Sequence, residues 1–560
     1  MSITSVRNDA KPAVKTQPRY ITECLDLLKK WDPGTACGNG LDGCAGKMFI
    51  RSEENIDAAL KDIRELRGKL QEDGVKDPLA VRFLDSFEFQ LLHIEPFAPL
   101  GEASGLLLFS LTKEGDSPEL KQHVTGYLHD LRENLREMRK KFSGQKLPVE
   151  IRIVTYELAN EVLGFFPAIK QAVKNDPEMC KELETARHAI AQFRLDISGL
   201  KFAKYKYGGY EKWMPLLKKK STGDVGRKGW YEDNLKLNWC YPYSAKQIKR
   251  LAEDAMKKEL PVLKDACRRL AEAYGLDPEK ATPAKLLKAA RKKSKLKPEE
   301  FIPFTKELVK VLYPLIEERI TGVAPGHKPE ILETPSYLRA SLPIAAAFSY
   351  DHLAEHPRAI TFMTPQAGEC PCVFEVLFII SHEGAHDIHH ANASVDLAKS
   401  GSTPLARLSA SGYSGVLTEG VAHMRESELM GLVSDILSKD ESLLTASEKK
   451  LKDYLAQYAD LGQLKAECDF YVSYQKIVRH IRAIADPSMN LNMKSYPQLV
   501  KEYVQITGIP PEKIFAWTWN VFRRNWPRPA PAAARWKKGH APPGPSWRAC
   551  WACARTYAAV

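Results

Sequence analysis

The stretch SHEGAHDIHH, residues 381–390, packs four histidines, one glutamate and one aspartate into ten positions, in a chain with only 14 histidines in 560 residues. Within it lies HExxH: His382, Glu383 and His386. On a helix, positions i and i+4 share a face one turn apart. Two imidazoles so placed can reach one metal ion, while the glutamate beside the first can hold a water for attack. The preceding run CVFEVLFII is apolar enough for a buried helix, which puts the histidines at its polar end inside the protein. Burying that many imidazoles without partners costs free energy.

A third ligand is needed to raise a five-residue pattern above coincidence. Downstream, VLTEGVAHMRESEL (416–429) reads as another helix on which Glu419 and His423 are one turn apart. Glu419 from this second helix completes a His-His-Glu set with one open coordination position, as catalytic zinc requires. His386 is the expected second histidine ligand; His389 and His390 are its alternates. Tyr413, His423, Arg425, Arg479 and Arg482 have the chemistry to stabilise an oxyanion or grip a carboxylate. Of these, Tyr413, His423 and Arg479 join Glu383 as the expected catalytic set.

These residues resemble the gluzincin metallopeptidases, which pair HExxH with a downstream glutamate, often in an EG-small-A context like EGVA here. More closely, the chain resembles the large helical HE-motif family whose domain of unknown function is numbered eight hundred and eighty-five, a relative of helical metallocarboxypeptidases. The likeness spans roughly residues 243–525 and includes PYSAKQIKRLAEDAMKKEL, ETPSYLRASLPIAAAFSY, SHEGAHDIHH, TEGVAHMRESEL and YQKIVRHIRAIADPSMNL. It implies one zinc ion per chain and hydrolysis of short peptides or small amides in a cleft between lobes. The chain departs from the family's HE-x-x-PGHH, carrying His386 where proline is usual. Two other classes compete: a helical di-iron oxidase-like protein, and an inactive relative serving as a binding scaffold.

Elements able to position such a site are mainly helical. ENIDAALKDIRELRGKLQ and PELKQHVTGYLHDLRENLREMRKKF repeat apolar residues at three- and four-residue spacing. Ser244 and Gln247 have capping-box spacing at a helix start. RAITFMTP is the one clear strand pattern, whereas TPSYLRASLPIAAAFSY reads as irregular. The expected architecture is therefore mainly α, two-lobed, with at most a small β element near the site. Its predicted divisions are an irregular segment over 1–48, a helical lobe over 49–205, a connector over 206–240, a catalytic-like helical lobe over 241–525, and a disordered Pro/Ala/Arg tail over 526–560.

The net charge of +12 reads as tail chemistry: from Arg528 onward there are six basic residues and no acid. Without aromatic interleaving, the remaining lysine clusters predict solvated faces and no nucleic-acid partner. The absence of an apolar leader and of a run long enough to span a bilayer predicts a cytoplasmic chain with no membrane partner. Eleven scattered cysteines predict reduced thiols. The abrupt tail composition predicts a replaced C-terminus, at the cost of part of the substrate pocket. Oligomeric state is not legible.

Overall fold

The computed structural model describes residues 18–115, 117–200, 209–239, 241–293, 296–324, 327, 329–339, 345–350, 353, 358–365, 371–399, 403–411 and 415–524. Among them are twenty α-helices and three short strands, so the chain is mainly α as expected. The tail over 526–560, Tyr413, and the cysteines Cys240, Cys370, Cys550 and Cys553 lie outside the described residues. The seven described cysteines are free thiols. No described helix is long and apolar enough to cross a membrane.

The expected irregular start is corrected by the helix Arg19–Trp31. Its Ile21, Cys24, Leu27, Leu28 and Trp31 are spaced to bury one face. The glycine-rich stretch that dominates the local composition begins only after it. These residues join Phe83, Leu84 and Phe87 in a separate N-terminal core that also receives Leu405 and Leu408. The expected connector likewise holds the helices Tyr210–Lys220 and Lys228–Leu237. Trp213 and Tyr231 anchor them in the interior. A larger apolar core gathers buried residues from Met48 and from Phe97 to Phe522. Across it, the indole N–H groups of Trp213 and Trp519 both donate to Glu157, each at 2.7 Å. One carboxylate thereby holds three distant helices together.

Two backbone-level details of the N-terminal region carry testable consequences. Gly46 (φ +77°) lays its carbonyl against the helix Pro118–Phe142 at Gly126, where an added Cβ would stand 2.1 Å from the Gly46 oxygen. Backbone cannot yield as a flexible side chain does. Gly126→Ala should therefore destabilise the chain by about 1–3 kcal/mol, read as a lowered midpoint in urea. An unchanged midpoint would mean that the loop is not seated on this helix.

Asp32 caps the helix Pro33–Gly38 by accepting the Thr35 N–H at 3.1 Å, and its carboxyl is buried. Burial, and then the charge of Glu102, push its carboxyl up to about 7. A carboxyl raised on folding contributes stability that is full below about pH 4 and lost as pH rises through 7, on the order of 4 kcal/mol. Asp32→Asn keeps a cap oxygen but cannot ionise. It should gain stability relative to the parent between pH 5 and pH 8; parallel pH profiles would refute the assignment.

The site is framed by helices and the small sheet. The helix Ala245–Ala273 starts on the expected capping box, with Ser244 and Gln247 satisfying each other's backbone donors. It packs along the helix Leu461–Asn490. The latter supports both HExxH-bearing Val373–Lys399 and Glu419-bearing Gly415–Ser438, which also pack on each other. Strands β1 (Glu330–Glu333), β2 (Ala345–Tyr350) and β3 (Arg358–Met363) lie in the order β1-β3-β2. β1 is parallel and β2 antiparallel to β3, with Ala347 opposite Thr361. β3 is the expected strand. β2 forms from the alanine-rich stretch read as irregular, because pairing with β3 and packing on the HExxH helix outweigh its weak propensity.

Candidate metal centre

The HExxH helix begins inside the core: Val373, Phe374, Val376, Leu377, Phe378 and Ile380 are all buried. An apolar surface this wide makes a helix buried on nearly every side. Its first turn is secured by Glu375, which accepts the Cys372 N–H at 3.1 Å and pairs with Arg291 at 2.7 Å. Two turns on, the interior becomes polar. Asp387, 3% exposed, accepts the Tyr313 hydroxyl at 2.9 Å and stands 2.7 Å from His327 Nε2, tying this helix to Pro298–Arg319 and to residue 327.

His382, His386 and Glu419 converge. The two Nε2 atoms lie 3.1 Å apart; Glu419 Oε2 is 3.5 Å from His382 Nε2, and its Oε1 is 3.8 Å from His386 Nε2. Two ring nitrogens at this distance repel unless a proton or a cation sits between their lone pairs. A tetrahedral ion bound at 2.0–2.1 Å has ligand edges of about 3.3 Å, so the three groups fit a metal with little movement. The histidines are 18% and 13% exposed, whereas Glu419, the outermost of the three, is 52% exposed. Neither His389 nor His390 enters a convergent group among the described residues. They sit on the next turn, with the His386 and His390 ring centres 6.4 Å apart.

Behind His382 stands Glu426, a residue that motif reading missed. Its Oε1 accepts from His382 Nδ1 at 2.7 Å, lies 3.2 Å from His423 Nδ1 and also takes Arg479 Nη2. Carboxylate behind imidazole is the usual way a metal-binding histidine is oriented. The signal was present: Glu426 follows Glu419 by seven residues, two turns along the same face. Arg479 Nε donates to His423 Nδ1 at 2.8 Å, so this guanidinium is engaged behind the site. His423, Glu426 and His382 form a second convergent group, but Arg479 already supplies its positive charge. Glu383 is positioned otherwise: its Oε2 accepts the Ala347 N–H of β2 at 2.9 Å.

The electrostatics follow from these contacts. Burial raises the Glu426 carboxyl, but the hydrogen bond from His382, the close His423 ring and the charge of Arg479 overcome it and hold it at about 2. Burial likewise opposes the charged form of His382, yet Glu426, Glu383 and Glu419 raise it above the ordinary imidazole value. Burial and then His382 push His386 down to about 4. Burial and then Arg479 do the same to His423. Glu419 sits below the usual carboxylate value because three imidazoles and Arg482 outweigh its burial. Burial pushes Glu383 up. At neutral pH the site therefore offers unprotonated nitrogen at His386 and a carboxylate at Glu419, the forms that bind metal.

Other expected participants lie elsewhere. Arg425 is engaged by Glu428 and the Ile320 carbonyl.

Comparison with known proteins adds a fold and no activity. No family model matches the chain, and no curated protein matches it. A presumed lipoprotein from Colwellia psychrerythraea superimposes with a TM-score of 0.52 at 14% identity, covering 90% of this chain and 88% of that one. A second presumed lipoprotein, of unknown function, from Shewanella oneidensis gives 0.52 at 13% identity, covering 90% and 91%. The chain shares its fold with these proteins. At such identities the likeness extends to fold alone.

Proposed function

We propose that the chain is a zinc-dependent hydrolase of peptide or small-molecule amide bonds. The carrying observation is the convergence of His382, His386 and Glu419 at 3.1, 3.5 and 3.8 Å. Zinc takes N and O ligands in this number, and when bound it supplies Lewis acidity and an acidified water. Glu383 stands outside the ligand group. Its Oε2 is held by Ala347, and Oε1 has no hydrogen bond among the described residues. That oxygen accepts a proton from the attacking water and returns it to the leaving amine. Its burial-raised pKa suits this two-way transfer.

Glu426 orients His382, and Glu426→Gln should weaken zinc affinity about 10- to 100-fold, measured by competition with a chromogenic chelator. A two-iron centre has less support, because the Arg479 guanidinium neutralises the second group. The test is elemental analysis of the purified chain together with hydrolysis of a pool of di- to hexapeptides, before and after chelation and zinc return. About one zinc per chain with chelator-sensitive cleavage is the expected result. Zinc without cleavage would leave a binding scaffold; no zinc would end the hydrolase reading.

A further inference from the structure

We propose that Arg479 is a positioning residue that fixes His423 as the Nε2–H tautomer, making His423 a hydrogen-bond donor to the site and not a metal ligand. Arg479 Nε lies 2.8 Å from His423 Nδ1, and a guanidinium can only donate. It does not lose its proton in a protein. If Nδ1 also carried hydrogen, two donors would face each other at that distance. Nδ1 is therefore the acceptor, and a neutral imidazole then carries its hydrogen on Nε2.

Glu426 Oε1 lies 3.2 Å from the same Nδ1, which would otherwise invite a proton between them. That oxygen is already met by His382 Nδ1 and by Arg479 Nη2. The two neighbouring N–H groups of one planar fork thus span two adjacent acceptors, His423 and Glu426. This explains how two acceptors tolerate such proximity. A lysine, with a single point charge, could not reproduce the span.

The consequence falls on the other ring nitrogen. His423 Nε2 lies 3.9 Å from Glu419 Oε2, on the side where His382, His386 and Glu419 converge. As N–H it cannot ligate, and it leaves those three as the ligand set among the described residues. It can donate to a substrate oxygen that gathers negative charge, the role of an oxyanion donor. The catalytic part of this inference rests on the hydrolase reading; the tautomer does not.

The experiment has two arms. Histidine nitrogen NMR on the ¹⁵N-labelled full chain, with His423→Gln for assignment, should report His423 Nδ1 as unprotonated and Nε2 as protonated. Arg479→Met should move the hydrogen to Nδ1, facing Glu426, and Arg479→Lys should not restore the parent signature. Cobalt(II) is the probe in the second arm. The parent and His423→Gln should give the same visible spectrum, whereas Arg479→Met should change it as the freed Nε2 becomes a ligand. An Nδ1–H signature in the parent, or a spectrum altered by His423→Gln, would overturn the proposal. Failure of the parent to bind cobalt would sink the metal reading alone, since the NMR arm decides the tautomer without it.

Discussion

Glu383→Gln is expected to reduce turnover of a cleaved peptide by about 10²- to 10⁴-fold, the usual worth of general acid–base catalysis, with bound zinc unchanged. Glutamine keeps the shape of the side chain and can still accept the Ala347 N–H that holds Glu383 at 2.9 Å. It loses only the capacity to take a proton. Glu383 belongs to neither convergent ligand group, so metal content should be spared. The measurement is kcat/KM alongside zinc per chain for parent and variant. Equal turnover would remove Glu383 from the mechanism, whereas lost zinc would recast it as a ligand.

Glu419→Ala should abolish stoichiometric zinc. Removing it leaves two imidazoles whose Nε2 atoms face each other at 3.1 Å, without the carboxylate that completes the set and offsets the charge. A ligand that binds only the folded state stabilises it, by about 2.7 kcal/mol at a hundred times its Kd. The parent should therefore melt higher with zinc and fall back with chelator. Glu419→Ala should show no such difference and should melt near the metal-free parent. A zinc-dependent shift retained in the variant would move the third ligand elsewhere, with His389 or His390 the first to examine.

The parts of this molecule legible in its sequence are those governed by short-range periodicity. HExxH on an apolar run defined a buried helix with His382 and His386 on one face, because i and i+4 spacing is a local property of the backbone. Glu419 and His423 were visible for the same reason. The capping box at Ser244 was legible because it joins residues three apart. The helix Arg19–Trp31 was equally readable, but the glycine-rich stretch after it masked the pattern.

What the sequence did not disclose depends on contacts far apart in the chain. β2 exists because it pairs with β3 and lies against the HExxH helix, not because alanines favour strands. Arg479 resembled a free oxyanion partner until the helix Leu461–Asn490 brought it against His423 and Glu426. Glu426 shares a helix face with Glu419 in the sequence, but only the fold shows that His382 Nδ1 meets it. By itself, then, the sequence determined a helical protein and the residue types of a candidate metal centre, since both follow from composition and helical period. Only the tertiary structure decided which nitrogen faces which carboxylate and which charge stands behind. Those relations depend on ångström-scale distances between separate helices, and no one-dimensional spacing encodes them.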